Sequence, residues 1–173
     1  MAQVLTIGHS TRPIAEFVAL LKAHHVQHVI DVRTIPRSRH NPQFNRESLP
    51  ASLRPYGIEY SHFNNLGGLR KPLPESLNQG WRNLSFRGFA DYMQTSDFRE
   101  GLEQLLKIAQ TQRVVIMCAE AVPWRCHRSL IADAVQVRGE SVGHIMTADR
   151  LDVHKLTSWA RVEGESITYP KSM

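Results

Sequence analysis

The chain is poor in cysteine. It holds two thiols in 173 residues, Cys118 and Cys126. Two cysteines make no disulfide framework, and a reducing cytoplasm is the expected compartment. No run approaches the ~18 apolar residues of a membrane-spanning helix, so no membrane partner is expected. No internal repeat, low-complexity tract or flexible linker breaks the sequence. One domain over residues 1–173 is therefore expected, with a weakly patterned tail over 151–173. The opening residues have no basic start followed by a long apolar stretch, and they read as a first strand and not a signal peptide. Apolar residues at 42% and charged residues at 21% fit a folded chain and exclude disorder, collagen and coiled coil. A chain of this length buries roughly 70% of its extended surface on folding and needs no staple.

Charge is unevenly placed. The net charge of +5 comes from two segments. Arg33, Arg37, Arg39, Arg46 and Arg54 stand against Glu47 alone, and Arg70, Lys71, Arg82 and Arg87 against Glu75 alone; the remaining chain is mildly acidic. Basic clusters of this kind suit a phosphate-bearing small molecule or nucleic acid. A merely solvated surface is the alternative. Arg37, Arg39 and Arg46 are the candidates for nucleic-acid contact.

Hydrophobic period places the elements. Strands are expected at Val4–Gly8, His28–Val32, Ile58–His62, Arg113–Met117 and Ser141–Met146. Pro13 opens a helix with Ile14, Phe17, Val18 and Leu21 on one face. A short helix is expected over Glu47–Arg54 and another over Phe86–Met93. Asp97 is expected to cap a helix carrying the stripe Phe98, Leu102, Leu105, Leu106 and Ala109. A further helix runs from about Cys126 to Arg138 and stops at Gly139. The tail is expected to add a helix turn or an edge strand. Strands alternate with helices, and the strands are near-continuous apolar runs. That pattern predicts a three-layer α/β domain with a mostly parallel sheet.

In such sheets ligands bind beyond the carboxyl ends of the strands. Four segments meet there. The first is Cys118-Ala-Glu-Ala-Val-Pro-Trp-Arg-Cys-His-Arg128. A thiol near a helix start and an imidazolium can become a thiolate nucleophile, so Cys118 and Cys126 are candidates. Glu120 is a candidate acid or base, or an arginine partner. Arg125, His127 and Arg128 are candidate ligand contacts. The plainer alternatives are a buried inert Cys118, a local cap at His127 and a structural Glu–Arg pair. The second segment holds His9 and Ser10 as ligand contacts, with helix capping as the alternative for Ser10. The third is Asp31-Val32-Arg33, in which Asp31 binds, takes a proton or merely pairs with Arg33. The fourth holds Gly67 and Gly68, whose amides suit a phosphate. Trp81, Phe86 and Phe89 either stack on bases or belong to the core.

The Asp-Val-Arg strand end with a later strand-borne cysteine is similar to rhodanese-like sulfurtransferases and cysteine phosphatases. It gives the architecture a Rossmann-like or rhodanese-like expectation. The cysteine loop departs from both, because Glu120 follows Cys118 by two residues, Pro123 removes an amide, and Arg125 stands seven residues on. The Cys-x7-Cys-His spacing matches no standard zinc pattern, so no metal and no cofactor is expected.

Taken in order, Thr6-Ile-Gly-His-Ser-Thr11, Asp31-Val-Arg33, Gly57-Ile-Glu-Tyr60, Leu66-Gly-Gly68, Met117-Cys-Ala-Glu-x-x-Pro-x-x-Cys-His-Arg128 and His144-Ile145 resemble the bacterial domain-of-unknown-function family 488 over about residues 3–146. The resemblance implies the fold and the site location, and no reaction. The residues it implies are His9, Ser10, Asp31, Arg33, Gly67, Gly68, Cys118, Glu120, Pro123, Cys126, His127 and Arg128. The functional expectation is an enzyme or binder with an anion site at the sheet edge. The alternatives are a non-catalytic nucleic-acid-binding module and a thiol-based sulfurtransferase or redox protein.

Overall fold

A computed structural model describes residues 3–171. The strands are β1 (Gln3–Gly8), β2 (His28–Asp31), β3 (Glu59–His62), β4 (Val114–Cys118), β5 (Ser141–Ile145), β6 (Leu151–Val153), β7 (Arg161–Glu163) and β8 (Ser166–Thr168). The helices are α1 (Ile14–Ala23), α2 (Leu49–Leu53), α3 (Leu84–Tyr92), α4 (Ser96–Ala109) and α5 (Arg128–Val137). The apolar runs become strands buried on both faces: every residue of β2 and β4 is buried. This is why their sequences do not alternate.

The main sheet runs β3-β2-β4-β1-β5-β6. Its first five strands are parallel and β6 closes the edge antiparallel to β5. From β1 the chain passes through α1 to β2 and through α2 to β3, and these helices pack on one face, where Phe17, Leu21, Phe44, Leu49 and Leu53 form a core with Leu5, Ile7 and Met117. From β3 it returns through α3 and α4 to β4, and through α5 to β5, covering the other face, where Phe89, Leu102, Leu105, Leu130 and Ile131 pack on Val4, Ile30 and Ile116. The expected three-layer α/β architecture is therefore present. β4 sends its connection to one face while its neighbours β1 and β2 send theirs to the other. That reversal opens a crevice beyond the carboxyl ends of these three strands.

Helix ends show local control. Gly139 takes φ +94° just past α5, and its N–H reaches the Gln136 carbonyl while Glu140 N–H reaches Val135. The paired bonds satisfy the last carbonyls as a glycine stop requires. The cap of α4 is Thr95, not Asp97: Thr95 Oγ1 accepts from Phe98 N–H. Asp97 instead lies in the first turn, where its charge faces the positive helix end. The helix expected from Cys126 begins at Arg128, because Pro123–Arg125 forms its own tight turn. The helix expected over Glu47–Arg54 shortens to α2, and Pro55 forces a tighter turn over Arg54–Tyr56. The tail supplies the edge strand β6 and a β7–β8 hairpin.

The long connection before α3 is ordered by one buried carboxylate. Asp91 accepts from Leu73 N–H at 2.8 Å, Ser76 Oγ at 2.6 Å and Asn78 Nδ2 at 2.7 Å. Asn78 Oδ1 in turn accepts from Tyr169 N–H at 2.8 Å, tying the loop to the tail.

Candidate thiol site

The crevice floor is set by how β1 meets the turn after β4. His9 N–H and Ser10 N–H continue the ladder onto the carbonyls of Cys118 and Ala119. Gly8 lies under the same turn. A β-carbon there would stand 1.6 Å from the Glu120 carbonyl oxygen. Gly8 therefore serves backbone approach, and the partner is the protein's own turn.

Cys118 ends β4 and is 2% exposed. Arg128, from the start of α5 and fully buried, donates from its NH1 to Cys118 Sγ at 2.6 Å and to the Glu120 carbonyl at 2.6 Å. Its NH2 donates to the Ala121 carbonyl and its Nε to Thr6 Oγ1. Cys126 Sγ accepts from the Arg128 backbone N–H at 3.5 Å, so both thiols are held by the same residue. Burial pushes the Cys118 thiol up, but the neighbouring Cys126 thiol and the Arg128 charge outweigh it and bring it down to about 7. Burial and the neighbouring Cys118 sulfur push Cys126 well above its ordinary value. Cys118 is therefore the more acidic of the two thiols. Both cysteines are free.

These sulfurs line a cavity of about 250 Å³. Of the residues singled out from the sequence, Arg33, Gly68, Cys118, Glu120, Arg125, Cys126 and His127 line it. Thr34, Leu69, Ser85, Phe86 and Ala119 complete the wall. Glu120 and Arg125 are exposed at its mouth.

Other candidates stand behind this wall. Asp31 is fully buried and grips Arg33 with both oxygens, at 2.9 and 2.7 Å. Tyr60 OH donates to the same carboxylate. Burial and the Asp31 charge push that phenol up. Arg33 also donates to the Phe44 carbonyl, so Asp31 orients Arg33 toward the cavity and does not itself line it. His9 Nδ1 donates to the Ser10 carbonyl, its Nε2 faces Arg33 NH1 at 3.3 Å, and its ring stacks on Phe44. Burial holds its pKa down to about 4. Ser10 takes φ +50° and does not cap α1, whose start has no side-chain cap.

His127 Nε2 donates to the Val32 and Leu66 carbonyls, both at 3.0 Å, which leaves Nδ1 as an acceptor 3.6 Å from Cys126 Sγ. Burial lowers its pKa to about 4. The glycine pair fits around this ring: a β-carbon on Gly68 would meet His127 Nδ1 at 2.5 Å, and one on Gly67 would meet Thr34 Oγ1 at 2.6 Å. Arg37, Arg39 and Arg46 are exposed on the loop after β2, and among them only Arg37 has an acidic neighbour, Glu47 at 4.0 Å. Phe89 lies in the core and Phe86 lines the cavity.

One network was missed from the sequence. Asp133, fully buried on α5, accepts from His154 Nε2 at 2.7 Å, Thr157 Oγ1 at 2.7 Å and Tyr169 OH at 2.7 Å. His154 Nδ1 meets His144 Nε2 at 2.9 Å, and His144 Nδ1 meets Thr6 Oγ1 at 2.6 Å. Thr6 receives Arg128, so an unbroken hydrogen-bonded chain joins Asp133 to the Cys118 sulfur. The available signal was a carboxylate at position 133 within the apolar face of a helix. No group of three metal-ligating side chains occurs among the described residues.

The fold and site define a three-layer α/β protein with a paired-thiol cavity at the point where the sheet reverses its winding. The chain belongs to the family described as Domain of unknown function DUF488, which it matches over residues 13–135. No match was found among curated proteins or among solved structures.

Proposed function

We propose that this protein is a cysteine-dependent enzyme acting on a small oxyanion held in the 250 Å³ cavity. The observation that carries the reading is the 2.6 Å contact between Arg128 and Cys118 Sγ on the cavity floor. A thiol with a pKa near ambient pH is well matched to nucleophilic attack. Arg125, exposed at the mouth, offers its guanidinium to the oxygens of the anion, while Arg33, its fork taken by Asp31, is part of the wall. Cys118 is the nucleophile. Cys126 is the second thiol of the wall, with its sulfur 3.6 Å from His127 Nδ1. Asp31 and Arg128 are positioning residues, since their polar atoms are engaged within the protein.

The paired thiols favour sulfur as the transferred atom. The Cys118 thiolate attacks the outer sulfur of a thiosulfonate anion. The sulfur–sulfur bond of the substrate breaks, and sulfinate or sulfite leaves with the electron pair. A Cys118 persulfide remains, to be passed to an acceptor nucleophile. The same geometry admits attack of the thiolate on the phosphorus of a phosphate ester; the ester P–O bond breaks, the alkoxide or phenoxide leaves with the electron pair, and a phosphoryl group remains on Cys118. The test is to incubate the protein with thiosulfate or with an aryl phosphate and weigh the Cys118 peptide. Gain of one sulfur atom is the expected result. Gain of a phosphoryl group would move the assignment to phosphoryl transfer. Neither adduct, with both thiols protected from alkylation until denaturation, would sink the reading.

A second reading rests on the exposed arginines of the loop after β2. Arg37, Arg39 and Arg46 suit a nucleic-acid backbone in a protein without chemistry. It predicts affinity that falls steeply with salt and survives Cys118→Ser.

A further inference from the structure

The Pro123–Arg125 turn separates two cavities. Arg125 and Cys126 face the thiol cavity, while Pro123 and Trp124 face a second one of about 500 Å³. That volume falls within the range of small-molecule sites, roughly 300–1,000 Å³. Part of its wall, from His144 to Trp159, lies beyond the region matched by the family.

We propose that this second cavity is a binding site for a nucleobase. Its lining is distinctive: all three tryptophans of the chain, Trp81, Trp124 and Trp159, are in it. Trp81 and Trp159 meet edge to face, with centroids 5.0 Å apart at 66°, and form a corner of flat aromatic surface. A planar ring stacks on such surfaces whatever its substituents. Trp124 and Trp159 are 64% and 44% exposed, so part of that surface is left open.

Polar groups narrow the class. The Trp81 indole N–H is buried and has no hydrogen-bond partner among the described residues. A buried donor without a partner is rare and calls for an acceptor. A ring nitrogen or ring carbonyl in the plane of a stacked base supplies one, and a plain hydrocarbon ring does not. Lys155 and Asp152 also line the cavity; both Asp152 oxygens are taken by Arg150, which leaves the Lys155 ammonium to disfavour a cationic guest of an aromatic cage and to suit a phosphate attached to the base. The two buried histidines of the wall are not free for metal. His144 spends its nitrogens on Thr6 and His154, and His154 on His144 and Asp133. They offer ring surface only. The proposal does not depend on the reaction at Cys118.

Every tryptophan lines this cavity, so intrinsic fluorescence reports on it. The full chain is titrated with AMP, adenosine, CMP, a short single-stranded oligonucleotide, ribose 5-phosphate and inorganic phosphate, with calorimetry in parallel. Saturable quenching by the base-bearing compounds, and none by ribose 5-phosphate or phosphate, is expected. Trp159→Ala should weaken AMP binding by about tenfold or more, the scale of one lost stacking platform. Lys155→Gln is a surface change that keeps the fold, and it should weaken AMP while leaving adenosine unchanged. Mononucleotide affinity equal to that of the oligonucleotide assigns a free nucleotide. Tighter, salt-sensitive oligonucleotide binding assigns a base within a strand, and either result supports the site. Absence of quenching by every base-bearing compound at millimolar concentration overturns the proposal. So does AMP affinity unchanged in both variants.

Discussion

The Arg128 guanidinium holds Cys118 Sγ and the Glu120 carbonyl with the same nitrogen, each at 2.6 Å. One buried cation thus sets both the charge of the thiol and the course of the turn that follows it. The turn cannot move without disturbing the thiol, and loss of the cation disturbs both.

Arg128→Met should return the Cys118 alkylation pKa from about 7 toward its ordinary 9.0. It also leaves the Glu120 and Ala121 carbonyls without this donor, at a cost of about 1–3 kcal/mol each. Alkylation rate against pH and denaturant midpoint measure the two effects. An unchanged alkylation pKa would detach Arg128 from the thiol.

The folded pKa of Cys118 lies below its unfolded value, so the unfolded chain holds more protons between about 7 and 9.0. The stability it contributes is fully present above 9.0, is lost as pH falls through 7, and rises across the interval by at most about 1.4 kcal/mol per pH unit. Cys126 acts in the opposite sense above that window, because its folded pKa is raised. Urea unfolding of the native chain and of Cys118→Ser at several pH values should show this rise only in the native chain.

Burial lowers His9, His127 and His144 from 6.5 to about 4. Each folded pKa is depressed, so their contribution is complete above 6.5 and disappears as pH falls toward 4. Denaturant midpoints should drop steeply through this acid window. A flat profile there would mean that these rings are charged in the fold.

Gly8→Ala should destabilise the protein by about 3 kcal/mol, since the new β-carbon collides with fixed backbone and not with a flexible side chain. The displaced turn should also raise the Cys118 alkylation pKa. Gly164→Ala meets no neighbour within 4 Å and carries only the strain of its φ of +63°, about 1–2 kcal/mol, so it serves as the comparison without a collision. Equal losses in the two variants would contradict the close-approach account.

Asp91→Ala removes the acceptor of three hydrogen bonds that order Leu73, Ser76 and Asn78. A loss of about 2–4 kcal/mol is expected from the donors left buried. Hydrogen exchange should speed up first at the amide of Leu73. Slow exchange there, with the fold intact, would show that the loop is held by other contacts.

Much of the fold was legible because parallel strands buried on both faces write themselves as unbroken apolar runs. Val114–Cys118 is the clearest case. The meeting of the thiol loop with Arg33 and Gly68 was legible too, since all lie just past strand ends at one sheet edge. What a side chain does once buried was not legible. Arg128 read as a ligand contact, yet it is engaged by the protein, and of the readings open for Asp31 the pairing with Arg33 is the one the fold adopts. The choice of Thr95 over Asp97 turned on backbone geometry two residues apart. The Asp133–His154–His144 network was hidden because its members lie 10 and 21 residues apart on α5, β5 and the tail. Only the return of the tail against α5 brings them together.

Cys118 belongs to β4, a strand flanked by β1 and β2 and covered on both sides. Central strands of this kind open only at free energies near that of global unfolding. Breathing of the native state therefore rarely bares the sulfur. A reagent that labels it quickly has come in through the cavity, and the size and charge of reagents that succeed will trace the shape of that entrance.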